Sequence, residues 1–432
     1  MTFLLALALL QTAPEPGPIA ITRVTVIDGA DSAGRRDQTV IIRGNRIVLV
    51  GPASSTPIPD GARVLRGEGK YLIPGLWDMH VHTDVPRGRE VLRLYVANGV
   101  LSVRDLAGAW DRLAGWRQEI ASGALVGPRL MLSGPYLEGG ESPVAHFLVR
   151  TPEEAKAAVD SLARLGVDVV KLHGQMAPAI YFAAARAARE RGLRVAGHVP
   201  RTITPWQASD SGVGSLEHLL QIPVLCTPAE SLALAPRYPV QTVVGRCSSA
   251  DQSAFYAQLV RNGTRVVPTM TAAYEVALWP TRKLPGEAFA GRLPDTLRSF
   301  IARIFPIPPD VPAGAEDVGL ALFDKRLALV GRMHRAGVVI MPGTDAPLRN
   351  SPPGFGLHAE LAWMASAGMS PFQILRAATL EPARYFGMLD SLGTIGSGKV
   401  ADLVLLRKNP LLDIRHTRTI EAVIANGRLI RP

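Results

Sequence analysis

Two histidines flanking a single valine close the stretch "IPGLWDMHVHTD", residues 73 to 84, and imidazoles at that spacing can grip a metal ion. On an extended strand successive side chains alternate between faces, so His80 and His82 share one side, about 6 to 7 Å apart along the chain. Two strand-end histidines that only hydrogen-bond would look the same, and the rest of the chain has to decide. Lys171 in "VDVVKLHG", His198 in "LRVAGHV", His218 in "GSLEHL" and Asp345 in "VVIMPGTD" each stand at or near the end of a short apolar run. Taken singly, these read as a snorkelling lysine, two satisfied core imidazoles and a turn carboxylate. Six metal-compatible groups in equivalent places resist that dismissal. Imidazole and carboxylate donors suit zinc and do not exclude manganese, cobalt or iron.

Such groups need a scaffold that gathers strand ends. Candidate strands are residues 100–106, 129–134, 167–174, 193–199, 214–219, 264–270 and 338–345, which with the run into His80 make eight. Helical stretches fall between them, as in "TPEEAKAAVDSLARLG", where Thr151 is the expected N-cap, Glu154 completes a capping box and Gly166 ends the helix. Strands alternating with helices predict an α/β protein, a (β/α)8 TIM barrel over residues 73–388, with strand C-terminal ends converging on one site. Residues 19–72 and 389–432 are rich in Val, Ile and Thr and broken by turns such as "RGNR", which predicts a small β-sandwich made from both chain ends. Residues 275–330 interrupt the rhythm with proline and aromatics; they are expected to form an insertion, either a lid or substrate wall over the barrel mouth or an ordinary decorated helix layer.

Composition bounds the function. At 432 residues, 47% hydrophobic and 19% charged, the chain can bury a large core. The net charge of +10 is spread over helix faces such as "RAARERGLR", with no basic stripe interleaved with aromatics, so nucleic acid is not an expected partner. Phe3 to Leu10 is apolar but far shorter than the roughly 20 residues a membrane span requires. Together with the small and polar residues that follow, it resembles a signal peptide within residues 1–18, cleaved after Ala13, and the expectation is an exported protein with no integral membrane segment, a cytoplasmic one remaining open. Cys226 and Cys247 are either two unrelated thiols or, in an exported chain, a disulfide.

The motifs "PGLWDMHVH", "VDVVKLHG", "VAGHV" and "SLEHL", with the ending "GTIGSGKVADLVLLRKNPLLDIRHTRTIEAVIANGRLI", resemble the amidohydrolase superfamily over nearly the whole chain. The branch most similar is that of imidazolonepropionase-related and Xaa-Pro dipeptidase-like enzymes. This resemblance implies that His80, His82 and Asp345 hold one divalent metal and that His198 and His218 hold a second. It also implies that Lys171, carboxylated by carbon dioxide, bridges the two. An unmodified ammonium would repel two dications, whereas a carbamate offers an oxygen to each. The expected reaction is hydrolysis of an amide in a dipeptide or N-acyl amino acid by a metal-bridging hydroxide, ochratoxin-like amides included, with Asp345 as the proton carrier.

Further residues have expected roles. His146 and Tyr274 are candidates for stabilising the developing oxyanion or binding substrate, and His173, two positions past Lys171, is expected to face the same pocket. Arg201 is a candidate partner for a substrate carboxylate, while Arg104 and Asp105 read as a structural ion pair. Rival readings stay open: a cyclic amide, lactone or phosphoester hydrolase on the same centre, or a non-catalytic scaffold of the same fold. A mononuclear deaminase fits less well, because that branch lacks the strand-four lysine. The expected partner is a small-molecule substrate, and a homo-oligomer is left open.

Overall fold

The computed structural model describes residues 17–219, 221–225, 247–248, 251–278, 293–304, 315–349 and 351–430. The expected leader, the Cys226 and Cys247 pairing and the middle of the expected insertion lie outside them. Among the described residues no helix is long and apolar enough to cross a membrane.

The chain is an α/β protein. It opens with β1 (Ile19–Val26), β2 (Arg35–Arg43), β3 (Arg46–Pro52), β4 (Arg63–Arg66) and β5 (Tyr71–Pro74). β2 and β3 form the antiparallel hairpin that "RGNR" announced, its Arg43 opposite Arg46 across Gly44, whose φ of 54° suits glycine. The other end of the chain joins the same sheet, because β5 runs antiparallel to a strand over Leu403–Leu406, which pairs with Ile420–Ala425 and that in turn with Arg428–Ile430. Eight strands from both termini thus share one sheet. Its core of Ile21, Val40, Ile42, Ile47, Leu72, Leu403, Leu405 and Ile424 is buried.

Between these ends the strands are parallel. β6 (Leu76–Val81), β7 (Val100–Asp105) and β8 (Arg129–Leu132) make a three-stranded sheet. β9 (Tyr136–Glu138), β10 (His146–Leu148), β11 (Val169–Leu172), β12 (Arg194–Gly197), β13 (Ser215–Glu217) and a strand over Arg265–Val267 make a six-stranded one, in the order β10, β9, β11, β12, β13, Arg265–Val267. The two sheets meet through a few backbone contacts rather than a shared ladder. The Asp168 N–H donates to the Leu132 carbonyl at 2.9 Å, and bridges join Val81 to Ala346 and Val266 to Ile340.

Residues 338–345, expected as the eighth strand, contribute bridges and no extended ladder. Pro342 has no N–H to give, yet its carbonyl accepts from Met79 N–H at 2.9 Å, and Asp345 N–H donates to the His80 carbonyl at 2.7 Å. Gly343 makes this approach sterically feasible: a Cβ there would lie 2.4 Å from Val267 Cγ1 and 3.0 Å from the His80 nitrogen. Helices pack between the strands. The one over Pro152–Leu165 starts where Thr151 accepts from Glu154 N–H at 3.1 Å and stops at Gly166, with φ of 77°. The large core formed by these helices and parallel strands leaves the strand C-terminal ends free to carry polar groups.

Candidate metal centre

β6 delivers His80 fully buried, and His82 follows just past its end. Their rings lie 5.3 Å apart, and both Nε2 atoms approach the same oxygen, Asp345 Oδ1, at 3.4 Å from His80 and 3.0 Å from His82. Across the cavity the His218 ring lies 4.4 Å from that of His80, and the His198 ring 4.8 Å from that of His218. Among the described residues, His80, His218 and Asp345 each place a donor atom within 4.8 Å of the others. That trio cuts across the expected grouping, in which His80 and His218 serve different ions.

Local backbone explains how these side chains are aimed. His218 and Asp345 have φ of 61° and 59°, a left-handed conformation that costs a side-chain-bearing residue on the order of 1 kcal/mol or more. At His218 this breaks strand alternation, so that neighbouring Glu217 and His218 both turn to the same centre. Thr269 fixes the His218 ring by a 2.8 Å bond to Nδ1. Asp78 holds the Asp345 turn, accepting from the Thr344 hydroxyl at 2.6 Å and the Thr344 N–H at 3.0 Å, and burial raises its own carboxyl to about 7.

The electrostatics favour cation binding. Burial, reinforced by neighbouring cationic groups, drives His80, His198 and His218 well below the ordinary histidine range, so each presents a neutral imidazole, the form that ligates metals. Burial likewise brings Lys171 down to about 8, against the pull of Glu217 and Asp345. For Asp345, burial opposes ionisation, but His218, His82 and Lys171 together outweigh it and lower the carboxyl below its usual value. Within this cluster, three buried atoms have no hydrogen-bond partner: His80 Nε2, His82 Nδ1 and Lys171 Nζ. Unsatisfied polar atoms are costly in a protein interior, and here they sit among nitrogen and oxygen donors of the right types for a divalent ion. The residues fit a metal.

A cavity of about 240 Å³ opens onto this cluster, bordered by His82, Lys171, His173, His198, His218 and Asp345. Its outer wall is apolar, with Val85, Leu106, Val144 and Pro347, and the helix Asp295–Ile304 adds Phe300 and Ile301. Phe300 and Ile301 fall within residues 275–330.

Not every expected site residue arrives. His173 does: its Nδ1 bonds Glu138, and its ring stacks between Tyr136 at 4.6 Å and His198 at 4.2 Å. His146 stands one ring farther out, stacked on Tyr136 at 5.9 Å with Nδ1 bonded to the Val144 carbonyl, and is not part of the cavity wall. Tyr274 lies in the helix Met270–Leu278, which Glu360 caps through the Met270 and Thr271 N–H groups; the ring packs on Phe323 and Trp363, away from the cavity. Arg201 is exposed in a turn and likewise does not line it. Arg104 and Asp105 do not pair with each other, since alternation along β7 separates them. Arg104 meets Glu217, and Asp105 accepts from the Thr83 N–H and hydroxyl at 2.6 Å.

The sequence reading passed over Glu217, Asp78, Glu138 and Tyr136. Glu217 and Asp78 were visible as acidic residues near candidate ligands in "SLEHL" and "WDMHVH", but nothing local showed which way they turn.

Comparison with known proteins is consistent with this geometry. The amidohydrolase family model matches residues 254–430. An Xaa-Pro dipeptidase with methionine bound in its active site superposes with a TM-score of 0.71 at 22% identity, covering 96% of this chain and 100% of that one. The C-terminal part of the chain thus resembles the amidohydrolase family, and the whole fold is similar to that of an Xaa-Pro dipeptidase. The partial family match and these structural neighbours support a hydrolase acting on carbon–nitrogen bonds. Its fold is also similar to a prolidase complexed with N-methylphosphonate-L-proline, with a TM-score of 0.71, 21% identity and coverage of 96% and 100%. Ochratoxinase from A. niger gives 0.69, 20%, and 96% of both chains. A dihydroorotase from Streptomyces coelicolor is 42% identical over 66 residues, 15% of this chain and 14% of that protein.

Proposed function

We propose that the chain is a binuclear metal-dependent amidohydrolase that cleaves the amide of a dipeptide or N-acyl amino acid. The observation that carries this reading is Lys171 Nζ, buried and without a hydrogen-bond partner, beside four histidines and Asp345 on one cavity. Lowering Lys171 to about 8 raises the deprotonated fraction of the amine, and that fraction reacts with carbon dioxide to give a carbamate and a proton, turning a repelling cation into an anionic ligand. In this reading His80, His82 and Asp345 hold one divalent ion, His198 and His218 hold another, and carboxylated Lys171 serves both. Zinc suits the donors. The ions, when bound, supply an acidified water and polarise the scissile carbonyl.

The chain's own residues do the rest. Asp345, ionised before reaction, accepts the proton of the attacking water at its carboxylate and returns it to the departing nitrogen. Phe300, Ile301, Val85 and Leu106 exclude water and receive an apolar substituent of the substrate, and His173, oriented by Glu138, borders the same space. The names of the Xaa-Pro dipeptidase and the ochratoxinase support amides of amino acids with apolar groups. The same reading takes the parallel strands as a (β/α)8 barrel and the terminal strands as its accompanying sandwich.

The test combines metal analysis with a substrate screen. Zinc-reconstituted protein is expected to hold about two equivalents per chain and to hydrolyse apolar dipeptides and N-acyl amino acids faster than lactone or phosphotriester controls. Absence of bound metal after reconstitution, or preference for the controls, overturns the proposal.

A further inference from the structure

Arg104 and Glu217 form an ion pair that is completely buried immediately behind the metal-ligand cluster. Replacing such a pair by apolar residues often leaves stability unchanged or improved, so its presence calls for a role other than stability. The connectivity indicates one. Arg104 Nε donates to the Met79 carbonyl at 2.6 Å, one residue before His80 on β6. Its two terminal nitrogens donate to Ser215 Oγ at 2.8 Å and Glu217 Oε1 at 2.7 Å, both on β13, which leads directly into His218. The Ser215 hydroxyl also donates to Glu217 Oε1, at 2.6 Å. The remaining oxygen, Glu217 Oε2, bonds His80 Nδ1 at 2.7 Å.

Two consequences follow from donor and acceptor chemistry. Both Glu217 oxygens are engaged, so the carboxylate is not offered to a cation directly and acts through His80. A carboxylate that accepts from Nδ1–H fixes one tautomer of the imidazole, leaving the Nε2 lone pair directed to the side where Asp345, His82 and His218 lie. The guanidinium meanwhile ties the backbone beside His80 to the strand of His218, the two rings that stand 4.4 Å apart.

We propose that the Arg104–Glu217 pair is a positioning clamp that sets the metal affinity of the centre, by locking the His80 tautomer and the spacing between the strands that carry His80 and His218. This rests on the metal-centre reading above. Asp345, by contrast, acts on the reacting atoms, and the clamp never touches them.

The experiment uses the full-length metal-free protein. Zinc affinity is measured by competition with a chelator for wild type, Glu217→Gln and Glu217→Ala, alongside the thermal midpoint of each metal-free protein. Long-range nitrogen–proton NMR on histidine-labelled wild type, with the His80 signals assigned through His80→Asn, reads the tautomer without touching the clamp. The expected result is a metal-free His80 protonated at Nδ1. Zinc affinity should fall about 10- to 100-fold in folded Glu217→Ala, and less in Glu217→Gln, whose amide oxygen still accepts from His80. Zinc affinity in a folded Glu217→Ala within threefold of wild type overturns the clamp, as does a wild-type His80 protonated at Nε2. Should the variants fail to fold, the tautomer alone decides. Failure of wild type to bind zinc at all would instead strike the functional reading on which the clamp depends.

Discussion

The two ends of the molecule are built on opposite terms. The sheet shared by the chain termini is apolar inside and satisfied at its edges: Leu403, Leu405 and Ile424 pack on Ile21, Val40 and Ile42, and charges such as Lys70 and Glu421 pair at its surface. The cavity end collects what such a sheet avoids, including buried histidines, a buried lysine, left-handed backbone at His218 and Asp345, and polar atoms without partners. Burial of this kind is tolerated where surrounding structure enforces it and where the groups perform chemistry. The difference suggests that stability resides largely in the sheet and in the apolar layers around the parallel strands, while the cavity gives some of it up for reactivity.

Substitutions can separate the two. The largest effect is expected at the cavity: Asp345→Asn should lower kcat by about a thousandfold, the scale of a lost proton carrier, while metal content and thermal midpoint stay close to wild type. Steady-state kinetics beside metal analysis would check this, and substantial retained turnover would deny Asp345 its role. In the sheet, Leu405→Ala should do the reverse, costing about 3 kcal/mol in urea unfolding through the lost burial and the cavity left behind, with kcat per folded molecule unchanged. A large fall in kcat there would show that the two regions are not separable.

The smaller effect concerns a residue joining the two. His358 is buried, with Nε2 bonded to the Asn98 carbonyl at 3.0 Å beside the parallel strands and Nδ1 to Thr417 at 2.9 Å in the C-terminal segment. Burial lowers it to about 4, with Arg418 acting in the same direction. A depressed histidine binds fewer protons folded than unfolded, so its contribution is complete above pH 6.5 and is lost as pH falls toward 4, on the order of 2 to 3 kcal/mol. Unfolding at a series of pH values should show this acid loss in wild type and a flatter limb in His358→Gln. Equal limbs would remove His358 as the acid-sensitive link.

Much of this was legible in the residues alone. The hairpin at "RGNR" and the capped helix after Thr151 are local structures, and their turn and cap chemistry is written in adjacent residues. The six candidate ligands stood out because each ended an apolar run, and strand ends in parallel α/β folds face one side. Residues 338–345 were less legible, because an isolated bridge at Ile340 and one just beyond, at Ala346, satisfy the same apolar pattern as a full strand.

Sequence by itself determined which donor types the protein owns and the order in which the chain presents them. Tertiary structure decided which of them meet. Periodicity fixes a face only within one regular element, and at Glu217 and His218 a left-handed residue ends that regularity and brings both side chains inward. Distant contacts did the remaining sorting: Phe323 and Trp363 drew Tyr274 into helix packing, Tyr136 came between His146 and the cavity, and Arg104 passed over its neighbour Asp105 for Glu217. Those choices depend on groups far apart in the chain, and only the folded backbone brings them within bonding distance.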